Sequence, residues 1–379
     1  MKHRSLILAT AATALFATTA MADNHGLALE PCENCADALT LVSWGGAYQK
    51  SQIKAYSEPY AAATGVTFSW DESSAEAVAK LRAMDEAGNV TWDLVDVVAA
   101  DALRLCDEGM AVEIDPDTDL AAAPDGTSAA DDFGDLRVNE CFIPQIVYST
   151  TSAYRSDLLP EGAAQPTDIC AFFDTDSYPG KRAMEKRVIN NVEWALLCDG
   201  VAKDDVYDVL STDEGVAQAF AKLDTIKDDI IWWSAAAEPP QLLADGEIVM
   251  GTSYNGRWFS AIEEQDQPFS MLWDAQVFDL DGWIVPEGLT EDKQNRVMHF
   301  LKFATDTQRL ADQAAYISYG PARMSSAPLV GKHAELGIDM APHMPTDPNN
   351  AKNTFLYNYS WWADNRDDLD AKFQAWLAQ

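Results

Sequence analysis

Residues 39–54 read LTLVSWGGAYQKSQIK, a strand that breaks at a tryptophan-glycine-glycine turn and opens a helix. Leu39, Leu41 and Val42 suit a short buried strand, while Gly45 and Gly46 let the backbone turn tightly and approach a ligand. Ile53, Tyr56 and Tyr60 then recur at helical spacing. An aromatic side chain at a strand's C-terminal end, beside a helix N-terminus, is a place to hold a small molecule. The alternation continues downstream. Residues 66–70 read as a strand, Ser74 caps a helix with Val78, Leu81 and Met84 on its apolar face, and 93–99 form a buried strand that turns helical from Ala102 to Cys106. This rhythm predicts an α/β fold with a mainly parallel sheet flanked by helices.

The rest of the chain reads as a second α/β block joined to the first by crossings. Residues 115–135, rich in Asp, Ala, Pro and Gly, are expected as a surface loop, and 143–148 as an extended segment crossing between lobes. The second block, 154–273, carries a strand at 188–189, helices from Val192 and over 212–226, and a strand at 247–251. A second crossing is expected at 277–285, followed by helices over 292–305 and 366–377.

Composition narrows the function. Residues 1–22 have the layout of a signal peptide, with Lys2 and Arg4, an apolar run over 6–19 and a small-x-small site at Ala20-Met21-Ala22. A mature chain from Asp23, with a loose tail over 23–37, is therefore expected in the periplasm. No later segment approaches a spanning length, so the protein is expected not to be membrane-embedded. Removing Lys2 and Arg4 leaves 24 basic residues against 61 acidic ones, which excludes nucleic acid as a partner. The acidity fits solubility in a salty medium or attraction of cationic ligands. Six cysteines in an exported chain read as disulfides, and sequential pairing of Cys32 with Cys35, Cys106 with Cys141, and Cys170 with Cys198 is the simplest of fifteen connectivities. The Cys32–Cys35 spacing lacks a second cysteine pair or a histidine cluster to complete a metal site.

Catalytic signatures are missing: there is no G-x-S-x-G, no H-E-x-x-H and no P-loop. The reading is a binding protein with no cofactor, and a secreted enzyme ranks last. Twelve tryptophans are the stronger clue. Trp44, Trp194, Trp233 and Trp283 stand beside turns, and with Tyr254 they could form an aromatic box for an onium cation.

Several motifs, in order, resemble bacterial extracellular solute-binding proteins of the spermidine/putrescine-binding type. They are the strand-WGGAY segment, Tyr178-Pro179-Gly180-Lys181-Arg182, Glu193-Trp194-Ala195, PQLLADGE at 240–247, Ser253-Tyr254-Asn255-Gly256-Arg257 and Tyr319-Gly320-Pro321. The resemblance implies a two-lobed periplasmic binding protein fold, with each lobe discontinuous in sequence, here 38–143 with 282–319 and 144–281 with 320–379. It also implies a monomer that closes on a small-molecule ligand and delivers it to the permease subunits of an ABC importer. Trp44 matches the family's first ligand aromatic, with Tyr48 beside it. Glu193 or Trp194 falls at a ligand carboxylate, Asp281 at an amine-binding aspartate with Asp279 nearby, and Tyr254 at a tryptophan. Arg257 departs from the pattern, since polyamine binders carry an aspartate there. A guanidinium fits a carboxylate, or it pairs structurally with Asp279 or Asp281. The ligand-binding reading makes the solute a zwitterion, either a betaine, dimethylsulfoniopropionate or γ-aminobutyrate. A polyamine is the alternative.

Overall fold

The computed structural model describes residues 29–379, so the expected signal peptide lies outside the described residues. Among the described residues ten strands form one mixed sheet: β1 Ala38–Val42, β2 Thr67–Asp71, β3 Leu94–Val98, β4 Ile143–Tyr154, β5 Arg182–Glu185, β6 Ile230–Trp233, β7 Met250–Tyr254, β8 Ser270–Ile284, β9 Gly320–Pro321 and β10 Phe355–Leu356. Their order is β2-β1-β3-β8-β4-β7-β5-β6, with β10 on β8 and β9 on β4. At one end β1 pairs in parallel with β2 and β3; at the other, β5 pairs in parallel with β6 and β7. The two long strands β4 and β8 run antiparallel through the middle, from Ile143 opposite Trp283 to Tyr154 opposite Ser270. Each serves both halves. The fold is therefore α/β, two halves of one mixed sheet that share these two strands.

Each half has apolar packing on both faces of its sheet. In the first half, Leu39, Tyr60, Leu94, Trp283 and Phe300 gather on one face and Val42, Leu81, Val95 and Phe142 on the other. In the second, Trp194, Leu196, Leu223, Trp362 and Phe373 pack on one face and Trp233, Leu243 and Trp258 on the other. The disulfides Cys106–Cys141 and Cys170–Cys198 pin helix ends to neighbouring segments, and Cys32–Cys35 closes a small loop ahead of β1.

Several element boundaries differ from the sequence reading, each for a local reason. The strand expected at 188–189 is β5, at Arg182–Glu185, and residues 188–189 sit in the turn beyond it. Arg182 disguised it, because its charge suggests solvent while its guanidinium is buried, donating to the carbonyls of Phe172, Gly180 and Asp174. The strand expected at 247–251 is β7, shifted to Met250–Tyr254. The crossing at 277–285 begins earlier, at Ser270. Ser74 caps nothing: its hydroxyl is buried without a partner, and the helix proper is Ala77–Glu86. The last helix starts at Tyr359, because Asn358 accepts a hydrogen bond from the Trp361 amide at 3.0 Å as its N-cap. Residues 115–135 are not simply a surface loop. They form the helical turns Pro116–Asp119 and Ala129–Phe133, and Asp132 is buried in an ion pair with Arg323 at 2.7 Å.

Candidate functional site

The Trp44-Gly45-Gly46 turn lies where β1 ends and the helix Gly46–Gln52 begins. Gly45 and Gly46 have φ of +67° and +58°, a conformation glycine adopts without a steric cost. A Cβ on Gly46 would come within 2.8 Å of Arg257 Nη1, so this turn is also where Arg257, on the helix Asn255–Phe259, reaches across from the other half of the sheet. Arg257 Nη2 donates to the Gly45 carbonyl at a long 3.5 Å. Its Nε is buried without a partner. Among the described residues no carboxylate stands within ion-pair distance of Arg257, so the structure does not pair it with Asp279 or Asp281.

A cleft of about 490 Å³ opens beside this contact, lined among others by Trp44, Tyr48, Tyr148, Trp233, Tyr254 and Tyr319. Five of these rings form a continuous arc. Tyr48 and Tyr319 have centroids 5.7 Å apart, Tyr319 and Tyr148 6.0 Å, Tyr148 and Tyr254 5.5 Å, and Tyr254 and Trp233 6.1 Å. Gly256 admits the Tyr319 ring, which would meet a Cβ there at 2.6 Å. Burial pushes the Tyr319 hydroxyl up to about 12, with Arg257 pulling it down and Asp281 pushing it up. Both charged groups therefore bear on the same ring.

The carboxyl of Asp281 reaches the cleft and is hydrogen-bonded to that of Asp96 behind it. Asp96 is fully buried and also faces the Trp44 indole at 3.4 Å, the Tyr48 hydroxyl at 2.9 Å and the Gln52 amide. Burial holds both carboxyls above the ordinary carboxylate range. Two carboxyl groups in contact and out of water share a proton rather than both ionising.

The remaining charges in the cleft wall are largely paired. Arg187 Nε lies 2.7 Å from Glu185, and its Nη2 donates to the Tyr254 hydroxyl at 3.2 Å. Arg366 binds Asp101 at 2.5 Å, and Glu72 and the exposed Lys186 complete the rim. The net charge of the whole chain is −35, yet this cleft gathers Lys186, Arg187, Arg257 and Arg366 against Glu72, Glu185 and Asp281. That local excess of basic groups suits a ligand carrying a carboxylate.

Six of the ten residues singled out from sequence meet in the cleft: Trp44, Tyr48, Trp233, Tyr254, Arg257 and Asp281. The other four do not line it. Glu193 is buried under the last helix, accepting from Trp362 Nε1 at 2.8 Å and Tyr207 at 3.3 Å. Trp194 donates to the Ala275 carbonyl at 2.8 Å inside the core, and Trp283 packs edge-on to Tyr56 at 5.3 Å. Asp279 stands behind the wall and accepts from the Tyr148 hydroxyl at 2.8 Å, its carboxyl pushed by burial up to about 7. Glu72, Tyr148, Glu185, Arg187 and Tyr319 were not foreseen. Glu185 and Arg187 follow directly from the displaced β5, whereas Tyr319 was visible in the Tyr-Gly-Pro motif. Among the described residues no cluster of His, Cys, Asp or Glu is arranged to hold a metal, and no helix is long and apolar enough to cross a membrane.

Two lobes joined by a strand pair, with a ring-lined and charged cleft between them, define a ligand-binding receptor. The chain belongs to the bacterial extracellular solute-binding proteins, whose sequence profile matches residues 55–346. It is 34% identical over 346 residues to the gamma-aminobutyric acid-binding protein of Pseudomonas aeruginosa, covering 91% of this chain and 92% of that one. Among solved structures it is similar to the PBP MotA from A. tumefaciens B6 in complex with glucopine, with a TM-score of 0.78, 27% identity and coverage of 90% and 99% of the two chains. It is also similar to the Atu4243-GABA receptor, with a TM-score of 0.75, 31% identity and coverage of 90% and 98%. The protein is thus a substrate-binding protein of an ABC importer for a small organic solute. It belongs to a family of extracytoplasmic transport receptors rather than enzymes.

Proposed function

We propose that the cleft captures a small ω-amino acid of the γ-aminobutyrate type. Its carboxylate would sit on Arg257 and its ammonium against Asp281, with the Tyr48–Tyr319–Tyr148–Tyr254–Trp233 arc around the aliphatic middle. One observation carries this reading: a half-buried guanidinium without a carboxylate partner shares a cleft with a carboxyl pair. The γ-aminobutyrate named for two of its relatives points the same way. A betaine or dimethylsulfoniopropionate fits less well. Only Trp44 and Trp233 of the tryptophans line the cleft, and Asp281 offers a hydrogen-bond acceptor that a quaternary head cannot use. A polyamine would find Glu72, Glu185 and Asp281, but it would also face the four basic side chains of the same wall.

The first lobe in this reading is 38–143 with 282–319, extended to about Ser326 because Arg323 pairs with Asp132. The second is 144–281 with the remaining C-terminal residues. Closure pivots on β4 and β8, excludes water from the charged ends of the ligand and presents a closed face to the permease. Arg257→Ala tests the assignment. A charge-assisted hydrogen bond to a carboxylate contributes about 1.5–3 kcal/mol, so γ-aminobutyrate should bind roughly ten- to a hundredfold more weakly. Unchanged affinity by calorimetry would rule out the clamp.

A further inference from the structure

Asp96 does not line the cleft, yet it controls what the cleft presents. It lies on β3 diagonally across the β3–β8 ladder from Asp281, in a register where Val98 faces Asp281 and Asp96 faces Trp283. The Trp44 indole, the Tyr48 hydroxyl and the Gln52 amide all converge on Asp96. Such donors favour an ionised acceptor. Asp281 has fewer donors and is opposed by the charges of Asp96 and of Asp279, two residues along β8. The other titratable groups around the pair are Tyr48 on the helix Gly46–Gln52, Tyr56 in the next turn, Tyr148 on β4 and Tyr319. Arg257 acts with Asp281 on the Tyr319 ring. No cation is bonded directly to either carboxyl among the described residues, and two carboxyls in contact favour a shared proton.

We propose that Asp96 is a specificity-determining positioning residue: it holds Asp281 as a neutral acid in the empty cleft, and the ammonium of the incoming ligand displaces that proton. The inference rests on the ligand reading above. The proton passes from the Asp281 carboxyl to solvent, and the carboxylate left behind pairs with the ligand N–H groups, so each cation captured releases one proton. A ligand with a hydroxyl at that end would release none. Cation binding therefore weakens as pH falls, by up to about tenfold per pH unit while the pair is protonated.

Two measurements test this. The first is calorimetric titration of wild-type protein with γ-aminobutyrate between pH 6 and 8, in Pipes and in Tris, whose ionisation enthalpies differ. It should show about one proton released per ligand at the acid end of that range. Asp96→Asn should still bind, with proton release and pH dependence displaced to lower pH, because burial still raises the Asp281 carboxyl while the opposing charge and hydrogen bond of Asp96 are gone. Asp281→Asn, a fixed neutral mimic, should lose both binding and release. Wild-type binding without proton release and independent of pH would overturn the proposal. The second measurement needs no ligand. Carboxyl ¹³C resonances of aspartate-labelled wild-type protein should include, besides that of buried Asp279, one titrating above the ordinary carboxylate range that is lost in Asp281→Asn and moves to lower pH in Asp96→Asn, and its absence would also overturn the proposal. If γ-aminobutyrate fails to bind while that carboxyl titrates, the assigned ligand is refuted and the shared proton supported.

Discussion

Replacing Glu193 by Gln separates a structural carboxylate from a ligand-binding one. Glu193 lies in the first turn of the helix Asn191–Cys198, fully buried, with Oε1 held by Trp362 and Tyr207 and Oε2 without a partner. Burial pushes its carboxyl from 4.5 up to about 7. The folded chain therefore binds this proton more tightly than the unfolded chain does. Between pH 4.5 and 7 folding takes up a proton, so stability falls as pH rises, and the loss is complete once the folded carboxyl ionises. At about 1.4 kcal/mol per pH unit of difference, the loss above pH 7 comes to about 3 kcal/mol. Gln keeps the shape and the acceptor for Trp362 but cannot ionise. Its amide nitrogen takes the place of the unpartnered oxygen, which returns about 1 kcal/mol of the gain. Urea unfolding followed by tryptophan fluorescence should find Glu193→Gln more stable than wild type by about 2 kcal/mol at pH 8, and equal or slightly less stable at pH 5. Asp279 and every other titrating group cancel in the comparison. Ligand affinity should not change, since Glu193 lies outside the cleft. A stability difference that is the same at both pH values, or a large loss of affinity, would refute the reasoning.

Other substitutions test the frame around the site. Gly46→Ala places a Cβ 2.8 Å from Arg257 Nη1 at a φ of +58°; it should destabilise the fold by about 1–2 kcal/mol and also weaken ligand binding, and calorimetry showing wild-type affinity would separate the turn from the clamp. Opening the Cys106–Cys141 bond with the double Ser variant frees a 35-residue loop and should lower stability by about 4 kcal/mol in the chain-entropy account; an unchanged urea midpoint would show that the bond does not restrain the unfolded chain.

Much of the fold was legible because its signals are local. The strand at 39–42, the glycine turn and the helices near 192, 212 and 292 depend on apolar periodicity and turn chemistry within a few residues. The errors arose where tertiary contacts override that code. Arg182 looks like surface until its guanidinium is seen satisfied by three carbonyls, and misplacing β5 hid Glu185 and Arg187 with it. Trp194 and Trp283 illustrate the same limit at the site. A tryptophan beside a turn can point to either face of its element, and both of these point into the core. Arg257 was recognisable because it breaks a pattern that the neighbouring motifs keep. Asp96 was not recognisable, because a lone aspartate in the apolar run 93–99 announces neither its partner on β8 nor the proton between them.

The chemistry of the cleft is tested most directly by a calorimetric comparison of γ-aminobutyrate, butyrate and putrescine at one pH and one salt concentration. These share a four-carbon chain and differ in whether they carry both charges, the carboxylate alone or two ammonium groups. Binding of γ-aminobutyrate roughly ten- to a hundredfold tighter than either of the others is the predicted result, since each lacks one partner of the Arg257–Asp281 pair and each charged contact contributes about 1.5–3 kcal/mol. Putrescine binding as tightly as γ-aminobutyrate, or tighter, would contradict the zwitterion reading and return the cleft to the polyamine class.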